Sequence, residues 1–295
     1  MNTILQPCAT GKSRSKSGRP GSNRTSSEAG LLPLAFTLLE LTAVIAIVGL
    51  LTALLIPVVS LAKRSARATS CENNLRQLQL AWLGYADESN DRLVPNKSRS
   101  SGLIQRSVAP SWVLGNAKWD SSPTNIESGL LFSHVRSLGM YRCPSDQSQV
   151  KASTVPTRRI RSYSLSVYLA GDLIGKGMQG NPHEESRFKT KLASLVRPAR
   201  TFAFLDEQEQ SIDDGLFSTY DPIHWTEPNA GPELKTWLEM PSDRHNRGCN
   251  LSFADGHAES LHWKWPKVFE EYDQRPANEL DRSDLQTLQA LLGIR

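Results

Sequence analysis

Four residues of the kinds that bind metals lie close together in the sequence: His245, Asp255, His257 and His262. Imidazole and carboxylate groups bind metal ions in proteins, and they also carry general acid–base catalysis. Either chemistry needs side chains that converge on one point. The elements that carry these residues therefore decide whether a site exists.

The surrounding sequence has the pattern of a β-hairpin. Asn250–Ala254 and His257–Trp263 are separated by Asp255-Gly256, which accommodates the positive φ angles of a two-residue type I′ turn. Such a hairpin would group two sets of side chains by face. The predicted core face holds Cys249, Leu251, Phe253, Ala258, Ser260 and His262, and the other face holds Asn250, Ser252, Ala254, His257, Glu259 and Leu261.

This hairpin argues against a chelating site. It sends His257 and His262 to opposite faces, so the ligand-type residues do not converge, and we predict no metal. His245 would precede the first strand and hydrogen-bond to a turn or to backbone carbonyls. We therefore predict structural roles for His245, Asp255 and Gly256.

Other residues with chemical potential give weaker patterns. The acidic group Asp206, Glu207, Glu209, Asp213 and Asp214 could supply calcium ligands, but it lacks the glycine-bearing spacing of an EF-hand loop. We interpret it as a solvated acidic loop and leave calcium binding open. Tryptophans could line a sugar-binding surface, although such residues more often lie in a core or at its rim; those considered are Trp112, Trp119, Trp225 and Trp237. No catalytic fingerprint occurs, so we predict no enzyme, no catalytic residue and no cofactor.

The most unusual acid, Glu40, lies in an apolar run that extends from Leu34 to Ala62. A helix over residues 36–62 would span about 40 Å, enough to cross a bilayer core of about 30 Å. A carboxylate in such a segment is costly and is therefore a functional candidate. Its natural partner would be the positively charged N-terminus of a neighbouring copy.

The net charge of +4 is confined to the residues before this run. Residues 1–35 hold five basic groups and one acid, Glu28, which leaves the remainder near neutral. We therefore predict no nucleic-acid partner. Because residues 1–35 are rich in Ser, Gly, Lys and Arg, they are predicted to form a disordered basic leader.

Beyond the apolar run, Leu75, Leu78, Trp82 and Tyr85 recur at helical spacing. This predicts an amphipathic continuation of the helix over residues 63–88, with the stripe packed on the domain and Arg76, Gln77 and Gln79 facing elsewhere.

Residues 89–295 are predicted to form one globular α+β domain. Strands are expected at Tyr163–Leu169 and Thr201–Leu205, the latter with Phe202 and Phe204 on one face. A short final helix with Leu285, Leu288, Leu291 and Leu292 would begin at a capping box formed by Ser283 and Gln286.

The segment Ala35-Phe36-Thr37-Leu38-Leu39-Glu40 resembles the N-terminal signal of type IV prepilins and type II secretion pseudopilins. Their stretch Gly-Phe-Thr-Leu-Leu-Glu is cut before Phe, and the match runs from Phe36 to Glu40, with Ala35 in place of Gly. The resemblance implies cleavage by a prepilin peptidase after Ala35, methylation of the Phe36 amine, and a role for Glu40 in subunit docking. Pro57 occupies the place where this family's helix commonly bends.

A second resemblance lies downstream. His245, nine further residues and Asp255-Gly256 resemble the His-x9-Asp-Gly element of many large pilin-like proteins. The contexts Cys71-Glu72-Asn73-Asn74-Leu75 and Cys143-Pro144-Ser145-Asp146 extend the resemblance from residue 35 to about 265. It implies a pilin-like α+β fold with an N-terminal helix packed on an antiparallel sheet. It also favours a disulfide between Cys71 and Cys143, because the family often carries cysteines in those two contexts.

The resemblance implies a structural filament subunit of a type IV pilus-like assembly or a type II secretion pseudopilus. It would cross the bacterial inner membrane once, with its domain in the periplasm. Its partners would be the prepilin peptidase and other pilin-like subunits, in a homo- or hetero-filament. Pilus, secretion and DNA-uptake roles stay open, as does the choice between major and minor subunit.

Three alternatives remain at this point. One is a secretory signal peptide with Ser60-Leu61-Ala62 before its cleavage site, and another is a plain bitopic anchor. The third is a membrane-tethered periplasmic enzyme or ligand-binding protein that uses His245, Asp255 and His257.

Overall fold

The computed structural model describes residues 37–101, 104–151, 155–174, 188–220 and 236–293. The predicted leader, the cleavage position Ala35 and the methylation position Phe36 lie outside the described residues, as does Trp225. The described helices are α1 (Leu38–Glu88), α2 (Thr124–Glu127), α3 (Phe132–Val135) and α4 (Glu279–Gln289). The described strands are β1 (Asn96–Ser101), β2 (Ile104–Ser107), β3 (Tyr163–Ser166), β4 (Gly171–Ile174), β5 (Phe202–Asp206), β6 (Leu216–Phe217), β7 (Gly248–Phe253) and β8 (Ala258–His262).

Helix α1 is one uninterrupted element of 51 residues that contains Pro57. The chain divides into two compact units, Met1–Ala53 and Leu54–Arg295. Each hydroxyl between Leu38 and Ala62 donates to a carbonyl three or four residues earlier: Thr42 to Leu39, Thr52 to Val48 and Ser60 to Pro57. Hydrogen bonding within the segment is what a lipid environment demands of polar groups.

The C-terminal part of α1 packs on the domain along one stripe. Cys71, Leu75, Leu78, Trp82 and Ala86 are buried, and the predicted burial of the Leu75, Leu78 and Trp82 stripe is confirmed. The predicted outward position of Gln79 is wrong.

Gln79 is fully buried, and its Oε1 accepts a hydrogen bond of 3.1 Å from the Ser252 hydroxyl. At about 100° per residue, Gln79 lies about 20° beyond Ala86, at the edge of the buried arc. This hydrogen bond satisfies the amide oxygen, whereas Gln79 Nε2 has no hydrogen-bond partner among the described residues.

The strands form two sheets, and the predicted α+β class is confirmed. One sheet has five strands in the order β6-β3-β5-β7-β8, and the other has three in the order β2-β1-β4. Most pairings are antiparallel, but β1 with β4 and β3 with β6 are parallel. Both parallel pairs join strands that are distant in sequence, as parallel pairing requires.

Strand β5 contributes to both hydrophobic core clusters. Its register with β7 shifts between Phe202 and Leu205, a bulge or similar irregularity that breaks the two-residue alternation. Phe202 therefore packs edge-to-face on Phe217 in one cluster, and Phe204 packs on Trp112 in the other. The prediction that Phe202 and Phe204 share a face is wrong.

The hairpin of β7 and β8 exists, but its predicted turn is one residue too short. Gly256 N donates to Phe253 O at 2.9 Å, and Phe253 N donates to His257 O at 2.9 Å. The loop is therefore Ala254-Asp255-Gly256, and in it only Gly256 has a positive φ, of 103°. This is the three-residue arrangement of a turn followed by a bulge glycine.

The longer loop changes which side chains of β8 share a face with β7. Cys249 pairs with Leu261 and Leu251 with Glu259. Ala258, Ser260 and His262 therefore do not join the core face as predicted, because a one-residue shift exchanges the two faces of a strand. The prediction that His257 and His262 lie on opposite faces is unaffected.

Helix α4 begins earlier than predicted. Asn278 is its N-cap, and its side chain accepts from Leu280 N at 2.9 Å and from Asp281 N at 3.1 Å. The predicted capping box is wrong, since Ser283 and Gln286 lie inside the helix. The four predicted leucines are buried, but two of them lie beyond the end of α4: Leu291 and Leu292.

Candidate functional site

The N-terminus of α1 contains a reciprocal capping arrangement. Thr37 N and Thr37 Oγ1 donate to Glu40 Oε2 at 2.9 and 2.8 Å, and Glu40 N donates to Thr37 Oγ1 at 3.2 Å. The Thr-x-x-Glu spacing of a capping box is visible in the sequence and could have predicted these contacts. These contacts give Glu40 a capping role within a single chain. Because its side chain is exposed, Glu40 also stays accessible to a partner.

The N-terminal half of α1, residues 38–61, has an apolar surface that is exposed in the described part of the chain. Within the described residues, α1 is the one helix long and apolar enough to cross a membrane. A contiguous exposed apolar surface of this extent marks contact with lipid or with another protein. Its large apolar side chains are Leu38, Leu39, Leu41, Val44, Ile45, Ile47, Val48, Leu50, Leu51, Leu54, Leu55, Ile56, Val58, Val59 and Leu61, each at least 39% exposed.

His245 lies before β7, as predicted, and its ring is buried. Its backbone N donates to Gly248 O at 3.2 Å. Its imidazole, however, faces side chains rather than a turn or a backbone carbonyl. Nε2 lies 3.3 Å from Cys143 Sγ and 3.4 Å from Asp206 Oδ2.

Cys71, the cysteine of the other sequence motif, belongs to the same cluster. The ligand atoms of Cys71, Cys143, Asp206 and His245 all lie within 4.8 Å of one another, and all four residues are buried. Both cysteines are free thiols in the structure, so the Cys71–Cys143 disulfide stays a prediction. The Tyr163 hydroxyl donates to Cys71 Sγ at 3.3 Å.

Asp206 holds this cluster together electrostatically. The Ser242 hydroxyl donates to Asp206 Oδ2 at 2.8 Å, and an Arg244 guanidinium nitrogen pairs with Asp206 Oδ1. Burial disfavours the imidazolium of His245, but the hydrogen bond with Asp206 raises its pKa to about 9. A hydrogen bond with Cys71, together with burial, raises the pKa of the Cys143 thiol.

The interpretation of the acidic group as a solvated loop is wrong. Asp206, Glu207, Asp213 and Asp214 are buried, and only Glu209 of this group is partly exposed, with 42% of its side chain accessible. Strand β5 ends at Asp206, and the residues that follow are buried as far as Thr219, except Glu209 and Gln210.

Asp213 and Asp214 are held by defined donors. Tyr272 donates its hydroxyl to Asp213 Oδ2 at 2.8 Å, while Leu216 N donates to Asp214 Oδ1 at 2.8 Å. The Ser98 hydroxyl donates to the other oxygen of Asp214. Burial, assisted by the charge of Asp213, raises the pKa of Asp214 to about 7.

We expect Asp214→Asn to flatten part of the pH dependence of stability. The pKa of Asp214 is about 7 in the folded chain and about 3.9 when unfolded, so the folded chain retains the proton over this interval. The stability that the protonated Asp214 carboxyl contributes is fully present below about pH 4. It is lost as the pH rises toward 7, and the free energy of unfolding falls by no more than about 1.4 kcal/mol per pH unit. Urea unfolding of the full chain in detergent, followed by near-UV circular dichroism, measures the difference between the two proteins.

The exposed helix residue Asp87 provides the matched control. Asp87→Asn should unfold with the same pH profile as the parent chain. If Asp214→Asn also keeps that profile between pH 4 and 7, the folded-state pKa assigned to Asp214 is wrong.

The other half of the His-x9-Asp-Gly element forms a separate contact pair. Asp255 Oδ1 lies 2.5 Å from His257 Nδ1, and the His257 ring stacks on Phe253 with centroids 4.3 Å apart. Partial burial opposes ionisation of Asp255, but the hydrogen bonds from His257 lower its pKa. The six residues of β7 separate this pair from His245 by about 17 Å or more, so His245, Asp255 and His257 are not brought together.

The tryptophans of the sugar-surface hypothesis do not lie on one surface. Trp112 and Trp237 are buried, at 0% and 1% exposure, and Trp119 is 43% exposed. Trp119 lines an open pocket with Asn116 and Asp120. Three of the four tryptophans in this hypothesis lie in the described residues, and two of those three are core residues.

Comparison with protein-family models found no match, and neither the curated proteins nor the solved structures include a significant match to this chain.

Proposed function

We propose that this chain is a subunit of a type IV pilin-like filament, either a pilus or a type II secretion pseudopilus. The observation that carries the proposal is the uncovered apolar surface of α1. It begins at Leu38, which belongs to the prepilin-like signal sequence, and α1 continues without a break into an α+β domain. An apolar surface that the described part of the chain leaves exposed requires lipid or identical helices around it.

The proposed cycle follows from this surface. The chain is held in the inner membrane by α1, with the domain in the periplasm. A prepilin peptidase removes residues 1–35, and the new Phe36 amine is methylated. Subunits then move from lipid into the filament, where neighbouring α1 helices replace the lipid contacts.

Glu40 sets the register in this proposal. Its carboxylate pairs with the N-terminal amine of an adjacent subunit, where water is excluded and an unpaired charge is costly. The contacts with Thr37 orient the carboxylate before assembly. No chemistry on a substrate is required of the domain.

The continuity of α1 supports this proposal over cleavage of a secretory signal peptide after Ala62. Ser60, Leu61 and Ala62 lie inside α1, and the same helix packs on the domain from Cys71 onward. The separation of His245 from Asp255 and His257 removes the shared site on which the enzyme alternative relied.

Mass spectrometry of the protein from its native membranes tests the processing step. The expected mature chain begins at Phe36 and carries one N-terminal methyl group. The same protein from cells that lack the prepilin peptidase is the control, and it should retain residues 1–35. A native N-terminus at Lys63, or an uncut leader in cells that have the peptidase, would exclude the proposal.

A further inference from the structure

The cluster around His245 has the composition of a metal site. It brings two thiols, one imidazole and one carboxylate together from four separate parts of the chain. Cys71 comes from α1, Cys143 from the segment between α3 and β3, Asp206 from the end of β5, and His245 from the segment before β7. All four are buried.

We propose that Cys71, Cys143, Asp206 and His245 together bind one Zn²⁺ ion. Zinc binds sulfur at about 2.3 Å and imidazole nitrogen or carboxylate oxygen at about 2.0–2.2 Å, with tetrahedral geometry. The edges of such a tetrahedron measure about 3.3–3.8 Å. His245 Nε2 already lies 3.3 Å from Cys143 Sγ and 3.4 Å from Asp206 Oδ2, so small movements complete the coordination sphere.

The residues around the cluster fit the requirements of such an ion. Metal ligands are usually oriented by second partners. The Tyr163 hydroxyl donates to Cys71 Sγ at 3.3 Å, and the Ser242 hydroxyl donates to Asp206 Oδ2 at 2.8 Å. Arg244 pairs with the opposite oxygen of Asp206 and leaves Oδ2 directed at the cluster.

Charge also balances at this position. Two thiolates and one carboxylate carry three negative charges, and the ion carries two positive charges. Arg244, which also pairs with Asp146 and Glu209, supplies the third. Binding releases the thiol protons and any imidazolium proton to the solvent, as zinc binding to cysteine and histidine generally does. With four protein ligands the site is closed, so its role is structural and it ties α1 to β5 and β7.

Zinc binding and the Cys71–Cys143 disulfide exclude each other, because a sulfur in a disulfide is not a thiolate ligand. The disulfide would involve only two of the four groups. The imidazole of His245 and the carboxylate of Asp206 would then point at the two sulfurs without bonding to them. Zinc engages all four groups.

The test uses the full chain, purified in detergent with a thiol reductant, loaded with Zn²⁺ and then dialysed. Elemental analysis is expected to find about one zinc per chain. Replacement of zinc by Co²⁺ should produce thiolate-to-cobalt charge-transfer absorption and the intense visible bands of a tetrahedral ion. Cys143→Ser and His245→Gln should each lower the retained zinc at least about tenfold.

Matched controls are available in the same chain. Cys249 is a buried free cysteine outside the cluster, and His257 directly follows the hairpin loop. Cys249→Ser and His257→Gln should retain one zinc per chain. Near-UV circular dichroism confirms the fold of each variant, and His245→Gln decides the question if Cys143→Ser does not fold.

Three results would overturn the proposed zinc site. The folded, reduced wild-type chain could retain no zinc, or Cys249→Ser could lose as much zinc as Cys143→Ser. The third is a Cys71–Cys143 disulfide in chain that is isolated without reductant. The measurement does not depend on assembly. A Glu40→Gln chain that fails to form filaments should still hold zinc, so failure of the filament proposal and failure of the zinc proposal are distinguishable.

Discussion

Glu40→Gln is expected to reduce filament assembly at least about 100-fold, although it changes only one oxygen to an amide nitrogen. Removal of one member of a charge pair in a water-excluded contact leaves the other member buried and unpaired. Glutamine can still accept the hydrogen bonds from Thr37, since Gln serves at this position of a capping box as well as Glu. The loss therefore reports the charge of Glu40 and not its role as a cap. Electron microscopy and immunoblots of sheared filaments measure the effect.

Thr37→Val is the complementary variant. It removes the threonine hydroxyl and keeps the carboxylate, so it should assemble at close to the normal level. Intact mass confirms that each variant is cut at the same position. Normal filaments from Glu40→Gln, combined with few from Thr37→Val, would assign Glu40 to helix capping and refute the intersubunit pair.

Lys267→Met is expected to destabilise the domain by about 3–5 kcal/mol. The Lys267 ammonium has no exposed side-chain surface, and it lies 2.8 Å from both Asp281 Oδ1 and Asp284 Oδ2. It also lies 5.1 Å from the ring centroids of Trp237 and Trp263. Methionine fills a similar volume but leaves two buried carboxylates at the start of α4 without their cation. Thermal unfolding of the full chain in detergent, followed by tryptophan near-UV circular dichroism, measures the loss.

Lys264 supplies the control for this variant. It is an exposed lysine whose ammonium donates to the Ser283 hydroxyl at 2.7 Å. Lys264→Met should change stability by no more than about 0.5 kcal/mol. Adding Asp284→Asn to Lys267→Met should recover part of the loss, because it removes one of the stranded charges. Equal stability of the two lysine variants would show that the buried ion pairs contribute nothing measurable.

The hairpin and the cap of α4 show where prediction from the sequence ended. Asp255-Gly256 correctly located the reversal between β7 and β8, because glycine is favoured where φ is positive. It did not distinguish a two-residue loop from a three-residue one, and that single residue decided which face of β8 meets the core. Asn278 and Ser283 are both good caps, and the pairing of buried Lys267 with Asp281 and Asp284 is consistent with the earlier start.

The sequence by itself determined the properties that are local in the chain. These are the apolar stretch of α1, its continuation as the stripe of Leu75, Leu78 and Trp82, the position of the hairpin and the α+β class, since each depends on the periodicity or composition of neighbouring residues. Only the tertiary structure brought Cys71, Cys143, Asp206 and His245 to within 4.8 Å of one another. Their elements are separated by dozens of residues, and the packing of α1 on β5 and β7 that joins them has no signature in any one segment. For the same reason, the sequence predicted a solvated loop for the acidic group that begins at Asp206. The fold instead buries most of this group among hydroxyl and amide donors.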